Sequence, residues 1–370
     1  MNELNKKTCR LGILGSAAIV SRAVLDVISH IPQVEVVAIA NRTRSKALHL
    51  GQRYSIPHVL HSLEEVLEHP HVDAVYIALS NDLHMEWVLR ALEAGKHVLV
   101  EKPAGLGKED AQQLASALKQ SPSLVFMEGI ITAHHPWQAA LKAIVSSGQY
   151  GLLHRTETRI SIPAPNGHRD NYRSVKLKGG GSFNDLGCYW LQWIQQLVGL
   201  KGSQASAFSN FDGPDGCEWT FNAKLRYGNG FEADVLTSFE LPYKAMHTLY
   251  FERATVVVPN FFRPLTGFYS LKIRLNDSNP HNYLKQFEPM NYYVNQLQAF
   301  AKRCLHPDDQ QAEGYLSIER MIWHQTIMDY AQQHAAMSHE TGNEGVTSNE
   351  NSDSMWRFRY KTCRGNESTP

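Results

Sequence analysis

Two titratable side chains lie one helical turn apart in the segment GGGSFNDLGCYWL, residues 179–191. If a helix begins after Gly181, the 3.6-residue period places Asp185 and Tyr189 on the same face. A carboxylate and a phenol in this arrangement form either a buried hydrogen-bonded pair or an acid and its neighbour that face a cleft. The glycines before them would let the chain pass close to a ligand.

A lysine stands at the end of a predicted buried strand in the segment HVLVEKP, residues 97–103. Open α/β sheets bind ligands beyond the carboxyl ends of their parallel strands, so Lys102 should face that crevice. Pro103 biases Lys102 towards an extended conformation. A nearby cation favours a phenolate, so Lys102 is expected to lower the pKa of Tyr189 if the two meet. Such a phenol could exchange a proton with a substrate oxygen at about 2.6 to 3.2 Å.

The segment GILGSAAI, residues 12–19, lies between the first apolar strand and a helix predicted from about Ile19. Small residues there would let the backbone approach a pyrophosphate at the amino terminus of the helix. The alternative is a tight turn that needs small residues for packing alone. The predicted dinucleotide contacts in this segment are Gly12, Gly15, Ser16, Ala17, Ala18 and Ile19.

The end of the second predicted strand, in VVAIANRTRSKA, bears on the choice of dinucleotide. NAD enzymes usually place an acidic residue here for the ribose 2'-hydroxyl, but this chain offers Asn41 and Arg42, with Arg44 nearby. The planar guanidinium of Arg42 could stack on adenine and bind a 2'-phosphate. NADP(H) is therefore favoured and NAD(H) is the alternative. An arginine that is simply solvated at the start of a helix would have no such role.

Hydrophobic rhythm divides the chain into two domains. From residue 10 to about 130, apolar runs without polar alternation are separated by amphipathic stretches, which predicts a doubly wound, parallel α/β Rossmann sheet. Beyond about residue 150 the period shifts towards two, as in WTFNAKLRY, which predicts an α+β domain with an open, mostly antiparallel sheet. The predicted domains are 1–130 and 131–337, followed by a disordered tail over 338–370.

Composition excludes several classes of protein. Lys plus Arg and Asp plus Glu number 36 each, so no positive field favours nucleic acid or anionic lipid as a partner. No secretory leader and no run of roughly 18 apolar residues is apparent, which favours a cytoplasmic location and no membrane span. The five scattered cysteines suggest free thiols. The 18 histidines show no compact metal-ligand pattern, so no metal is predicted.

Three motifs together resemble the Gfo/Idh/MocA family, the group of glucose-fructose oxidoreductase, inositol dehydrogenase and dihydrodiol dehydrogenase. They are the GxxGxA turn, AGKHVLVEKP and NYRSVKLKGGGSFNDLGCYWLQ, and the resemblance covers roughly residues 8–335. It implies that Lys102 assists proton transfer beside the nicotinamide ribose and that Asp185 is the family's aspartate. Tyr189 stands where inositol dehydrogenase-like members carry histidine, which favours the branches of glucose-fructose oxidoreductase, dihydrodiol dehydrogenase and sugar 3-ketoreductase. The resemblance to this family also implies a homo-oligomer, either a dimer or a tetramer.

The resemblance implies further contacts. The nicotinamide side would be lined by Leu79, Asn81, His84 and Glu101. His84 could equally bond to backbone. His134 and His135 lie in a segment that faces substrate in relatives, although Ala133 replaces an arginine that is common there. A loop before the glycines supplies Arg169, Asp170 and Arg173, which could clamp a substrate hydroxyl, carboxylate or phosphate, or could be solvated charges. The predicted substrate contacts are His135, Arg169, Arg173, Asp185 and Tyr189.

The expected function is hydride transfer between NAD(P) and a carbonyl or carbinol carbon of a sugar-like small molecule, with Tyr189 exchanging the proton of the oxygen. Reduction of a keto-sugar, free or nucleotide-linked, ranks first because Tyr189 and the expected NADP preference favour it. Dehydrogenation of a cyclitol or a trans-dihydrodiol is the alternative. A regulatory sensor that binds the dinucleotide without turnover, or an inert structural subunit, represents another class.

Overall fold

The computed structural model describes residues 8–164, 171–276, 281–306 and 312–341, with side chains described up to residue 336. The chain up to Ala335 forms one compact unit. The last helix runs through Thr341, so the first four residues of the predicted tail are helical, and the rest of that tail lies outside the described residues. Within these ranges, no helix is both long and apolar enough to cross a membrane.

The amino-terminal half contains a six-stranded parallel sheet with the order β3-β2-β1-β4-β5-β6. The strands are β1 (Cys9–Leu14), β2 (Val34–Ala40), β3 (His58–Val59), β4 (Ala74–Ile77), β5 (His97–Val100) and β6 (Phe126–Glu128). Every residue of β4 is buried, as a strand covered on both faces requires. The predicted doubly wound Rossmann sheet is confirmed.

The helices of this half follow the strands in alternation. They are α1 (Ala18–Val20), α2 (Arg44–Tyr54), α3 (Leu63–Glu68), α4 (Asn81–Glu93) and α5 (Lys108–Gln120). The helix predicted from about Ile19 begins at Ala18, but after Val20 it continues as a π turn over Ser21–Leu25. In that turn the Asp26 N–H donates to the Ser21 carbonyl at 2.8 Å, one residue further back than in an α-helix.

The second half contains an eight-stranded sheet with the order β14-β13-β12-β11-β7-β10-β9-β8. All neighbours are antiparallel except β7 and β10, so the predicted mostly antiparallel sheet is confirmed. In β9, Phe221, Ala223 and Leu225 are buried between more exposed neighbours. The strands are β7 (Leu153–Ser161), β8 (Ser203–Phe208), β9 (Thr220–Tyr227), β10 (Glu232–Ser238), β11 (Lys244–Phe251), β12 (Thr255–Pro259), β13 (Lys272–Leu275) and β14 (Tyr283–Gln286).

One face of this sheet is covered by a helix that is buried almost all round. The helices of this half are α6 (Trp137–Ser146), α7 (Ser182–Leu197), α8 (Tyr292–Leu305) and α9 (Ala312–Thr341). In α7, Phe183 stacks on Phe221 of β9 with ring centroids 4.3 Å apart, and Trp193 packs against Trp137 of α6 at 5.1 Å. These contacts fix the helix that carries Asp185 and Tyr189.

Gly12 should respond to substitution as a packing residue. It lies inside β1, and a Cβ there would stand 2.5 Å from Cγ1 of Val66 in α3. We expect Gly12→Ala to lower the free energy of unfolding by about 1–3 kcal/mol in urea titrations, because the helix must shift away from the sheet. Gly228→Ala is the control, since a Cβ there meets no heavy atom within 4 Å. Equal stability of the two variants would contradict the packing role.

Candidate active site

A cavity of about 1160 Å³ opens beside the carboxyl ends of the parallel strands. It collects residues from distant parts of both halves of the chain. The predicted site residues that line it are Ala17, Ala18, Ile19, Leu79, Asn81, His84, Glu101, Lys102, Arg173, Asp185 and Tyr189. This edge of the sheet is the one at which open α/β folds bind ligands.

The turn after β1 requires glycine at one position. Gly15 has φ +107°, and a Cβ on it would overlap the carbonyl oxygen of Ala78. Its N–H donates to the Ala40 carbonyl at 2.9 Å, which ties the turn to the end of β2. Beyond Ser16, the exposed residues Ala17 and Ala18 leave the backbone open to the cavity.

Gly12 was placed among the dinucleotide contacts, and this prediction was wrong. Gly12 is buried within β1, three residues before the turn, and its missing Cβ makes room for Val66 and Val72. Its role is close packing between strand and helix, which a sequence motif cannot distinguish from contact with a pyrophosphate.

The end of β2 presents the residues expected to select the dinucleotide. Arg42 is exposed, and Arg44 stands 3.4 Å from Nε2 of His61. The Asn41 side chain donates to the Thr43 carbonyl at 3.0 Å, so one of its amide hydrogens already stabilises the turn. None of these three residues lines the large cavity. They follow Ala40, whose carbonyl accepts the hydrogen bond from Gly15 in the dinucleotide turn.

The carboxylate of Asp185 binds two cations. Nζ of Lys102 donates to Oδ1 at 2.6 Å and to the Asp185 carbonyl at 2.9 Å. The guanidinium of Arg173 donates from Nε to Oδ2 at 3.0 Å and from Nη2 to Oδ1 at 3.2 Å. Lys102 follows β5, Arg173 lies in a short 3-10 turn over Tyr172–Ser174, and Asp185 is in the first turn of α7. One carboxylate therefore joins the two halves of the site.

Mutual attraction keeps all three groups charged. Burial would lower the pKa of the Lys102 ammonium, but Asp185 and Tyr189 raise it well above its usual value. Burial would raise the pKa of Asp185, but Lys102 and Arg173 lower it to about 2. Burial likewise opposes the charge of Arg173, and the attraction of Asp185 raises the pKa of that guanidinium. Arg173 was predicted to clamp substrate, whereas its donors here are directed at Asp185.

Tyr189 lies where it could act on a ligand. Its ring centroid is 5.6 Å from Nζ of Lys102 and 4.7 Å from the ring of Phe262, in an edge-on arrangement. Within the described part of the chain, its hydroxyl group forms no hydrogen bond. Burial raises the pKa of this phenol well above its usual value, and the opposing effect of Lys102 is smaller. Lys102 acts to lower this pKa, as expected, but burial raises it by more than the lysine lowers it.

The three glycines before α7 make room for protein groups. A Cβ on Gly179, which has φ +69°, would stand 2.6 Å from the Leu106 side chain, and one on Gly180 would stand 2.6 Å from the Arg173 carbonyl oxygen. A Cβ on Gly181, which has φ +117°, would overlap the carboxylate of Glu218. The sequence predicts that these glycines let the chain approach a ligand. In the structure, the atoms close to all three glycines belong to other protein residues.

The segment after β4 is held mainly by backbone contacts. Nδ1 of His84 lies 2.8 Å from the Pro103 carbonyl, and Nε2 lies 3.2 Å from the Leu79 carbonyl. Burial lowers the pKa of His84, although both carbonyls oppose this shift. Asn81 donates to the Gly179 carbonyl at 3.2 Å. These residues line the cavity, and the backbone alternative considered for His84 describes its contacts.

Glu101, which directly follows β5, also lines the cavity. It accepts a hydrogen bond from the Tyr76 hydroxyl at 2.5 Å. Burial raises its pKa, and the hydrogen bond from Tyr76 and the charge of Lys102 oppose this shift. Glu101 therefore adds an acidic group next to Lys102.

His135 does not reach the cavity, so its prediction as a substrate contact is corrected. Its ring packs edge-on against Phe287 and Tyr292 at 5.3 and 5.2 Å, and Nδ1 accepts from the Trp137 N–H. Burial lowers its pKa to about 4, as it does for His134. A histidine that stays neutral can pack among aromatic rings, which accounts for its place in the core. Arg169 and Asp170 lie outside the described residues.

Several cavity residues had not been predicted. They are Arg22, Tyr172, Tyr243, Phe262, Arg263 and Tyr293. In the sequence, the segment NFFRPLTG, residues 260–267, combines an arginine with two aromatic residues, which could have indicated a ligand-binding segment. In the structure it forms a turn with φ +55° at Asn260 and +77° at Gly267. Arg22, by contrast, lies within the π turn and carries no recognisable pattern. Among the described residues, no group of three or more His, Cys, Asp or Glu side chains could hold a metal ion.

Asp185 should contribute stability that depends on pH. Its folded pKa is lowered from an ordinary 3.8 to about 2, so the contribution is fully present above pH 4 and is lost as pH falls towards 2. We expect Asp185→Asn to lower the free energy of unfolding by about 3 kcal/mol at pH 7, because Lys102 and Arg173 lose their partner. The difference from wild type should shrink by about 1 kcal/mol at pH 3 in urea titrations.

The control for this prediction is Glu93→Gln, a substitution on the exposed end of α4. It should change stability by less than about 0.5 kcal/mol at either pH. A deficit of Asp185→Asn that is the same at pH 7 and pH 3 would contradict the lowered pKa.

Comparison with known proteins places this site in a family. The family model GFO_IDH_MocA, described as an oxidoreductase family with an NAD-binding Rossmann fold, matches residues 9–129, and the GFO/IDH/MocA C-terminal domain matches residues 138–257. The chain is 29% identical to a dTDP-3,4-didehydro-2,6-dideoxy-alpha-D-glucose 3-reductase of Saccharopolyspora spinosa, over 70% of this chain and 77% of that protein. It is 31% identical to an uncharacterized oxidoreductase of Rhizobium meliloti, over 69% of this chain and 75% of that protein.

A solved structure agrees with these relatives. KijD10, a 3-ketoreductase from Actinomadura kijaniata in complex with NADP and TDP-benzene, matches with a TM-score of 0.77 and 25% identity, over 88% of this chain and 98% of that one. The chain therefore belongs to the Gfo/Idh/MocA family of oxidoreductases, as its three motifs predicted.

Proposed function

We propose that this chain uses NADPH to reduce a ketone on a sugar-like ring, with Tyr189 as the proton donor. The observation that carries the proposal is the meeting of Tyr189 and Lys102 in one cavity that also contains the dinucleotide turn. The relative from Saccharopolyspora spinosa is named as a keto-sugar reductase, and KijD10 was solved with NADP. The first comparison supports a keto-sugar as the substrate class, and the second supports NADP(H) as the cofactor.

The residues present fit a dinucleotide. The strained turn at Gly15 and the small, exposed Ala17 and Ala18 leave backbone N–H groups open at the start of α1, where a pyrophosphate could bind. Lys102 and Glu101 line the same cavity and would bind the nicotinamide side. When bound, NADPH supplies the hydride.

Reduction of the ketone requires a proton donor that is still protonated at neutral pH. Burial raises the pKa of Tyr189, so the phenol retains its proton there and can donate it to an oxygen that becomes negative. The phenolate left behind would be stabilised by the ammonium of Lys102, 5.6 Å from the ring centroid. Asp185 holds that ammonium in place through its carboxylate and its carbonyl. A phenol that keeps its proton at neutral pH suits the reductive direction.

Removal of the phenolic hydroxyl should separate binding from chemistry. Tyr189→Phe keeps the ring packed against Phe262 but loses the proton donor. We expect kcat for NADPH oxidation with keto-sugars to fall by at least about 100-fold, with the Kd for NADPH within about twofold of wild type. Stopped-flow absorbance at the NADPH band and fluorescence titration measure the two quantities.

The control for this variant is Tyr150→Phe, because Tyr150 lies outside the cavity lining and its hydroxyl contacts only the Gln149 side chain among the described residues. A Tyr189→Phe enzyme with wild-type kcat would overturn the assignment of the donor. If the wild type binds NADPH but reduces no member of a panel of keto-sugars and cyclitol ketones, the regulatory sensor becomes the better description.

Arg42 should set the preference for the 2'-phosphate. Its guanidinium is exposed just beyond β2, next to the strand end that contacts the dinucleotide turn. Because a charge-assisted hydrogen bond contributes about 1.5–3 kcal/mol, we expect Arg42→Ala to raise KM for NADPH at least about tenfold and to leave KM for NADH unchanged. The control is Arg53→Ala, an exposed arginine of α2 that stacks on Tyr54. Equal changes for both cofactors would contradict this role.

We further propose a homo-oligomer that uses the outer face of the eight-stranded sheet. Charged side chains on this face pair with one another, as Arg155 does with Asp234 at 2.6 Å and Lys224 with Glu232 at 2.7 Å. Such neutralised pairs can be covered by a second copy at lower cost than isolated charges. Light scattering of the purified chain tests this proposal, and a monomer at micromolar concentration would contradict it.

The cytoplasmic location stays a prediction.

A further inference from the structure

Glu218 is a buried carboxylate that the proposed chemistry does not use. It lies just before β9, is 3% exposed and does not line the large cavity. No cation lies within ion-pair distance of it in the described part of the chain. Burial raises its pKa to about 7, and its hydrogen bonds with backbone N–H groups, including those of Asn184 and Phe183, oppose this shift. A buried, unpaired carboxylate is costly, so its contacts should explain why it is there.

These contacts are with the amino terminus of α7. The Ser182 N–H donates to the Glu218 carbonyl at 2.7 Å, and the Asn184 N–H donates to Oε1 of Glu218 at 3.3 Å. The first N–H groups of a helix have no partners within the helix, and Gly181 at the N-cap position has no side chain to accept from them. Glu218 therefore supplies from a distant segment the cap that α7 lacks locally.

Gly181 is shaped to admit this cap. Its φ of +117° and its lack of a Cβ leave the space that the Glu218 carboxylate occupies. A side chain at position 181 would displace the carboxylate from the helix end. The third glycine of the GGG run and Glu218 thus form one structural unit, although 37 positions separate them (218 − 181).

The capped turn carries the contacts that place the catalytic lysine. Asp185 belongs to this first turn, and both its carbonyl and its carboxylate accept from Lys102. Tyr189 follows one turn later on the same helix. If the first turn frayed, Lys102 would lose two of its acceptors at once.

We propose that Glu218 is a positioning residue for the active site. By capping α7, it fixes Asp185 so that Lys102 is held against the ring of Tyr189. It does not line the large cavity and acts only through the helix. The kinetic part of this inference rests on the proposed reductase function, whereas the structural part does not.

Two substitutions at Glu218 test the inference. Glu218→Gln keeps an oxygen that can accept from the backbone, whereas Glu218→Leu removes it. We expect Glu218→Leu to lower kcat about tenfold, with KM for NADPH within about twofold of wild type, and Glu218→Gln to retain most of the wild-type kcat. Hydrogen exchange at the amides of residues 183–185, measured by mass spectrometry without substrate, should be faster in Glu218→Leu only.

The matched control removes a cap far from the cavity. Ser62 caps α3 by accepting from the Glu65 N–H at 3.2 Å, so Ser62→Ala should lower the melting temperature without changing kcat. The inference is overturned if Glu218→Leu keeps wild-type kcat below its melting temperature, if Glu218→Gln is as impaired as Glu218→Leu, or if exchange at residues 183–185 is unchanged. A wild type without turnover would sink the proposed function alone, because the exchange measurement needs no activity.

Discussion

The site depends on one buried carboxylate shared between two cations. Asp185 accepts hydrogen bonds from Lys102 and Arg173 at the same time, and each of the three charges would be costly to bury alone. Lys102 comes from the end of a parallel strand, and Asp185 comes from a helix packed on the antiparallel sheet. The triad therefore joins side chains that elements of both sheets bring together.

Burial and the charge of the nearby lysine act in opposite directions on the phenol. Burial raises the pKa of Tyr189, and the opposing effect of Lys102 is smaller, so the pKa rises. A neutral phenol suits the donation of a proton, which is the step that reduction requires. The attraction of Lys102 for a phenolate supports the same step, because it stabilises the charge that proton loss leaves on the ring.

Close packing explains the glycines better than ligand contact does. Gly12 admits the side chain of Val66, and Gly181 admits the carboxylate of Glu218, so two motif glycines bring protein elements together. Gly15 differs, because its positive φ forms the turn that opens towards the cavity. Glycines of one motif can therefore serve two physical purposes, and only the neighbouring atoms distinguish them.

The sequence by itself determined the two sheets and the three central residues of the site. Hydrophobic period and strand-end position are local properties, so they predicted both sheets and the position of Lys102, whereas the helical period placed Asp185 and Tyr189 on one face and the resemblance of their motif assigned that face to the site. Only the tertiary structure decided that His135 is buried among aromatic rings, that Arg263 lines the cavity and that the pKa of Tyr189 is raised. These outcomes depend on distances between residues far apart in the chain and on the balance of burial against charge, which no local pattern encodes.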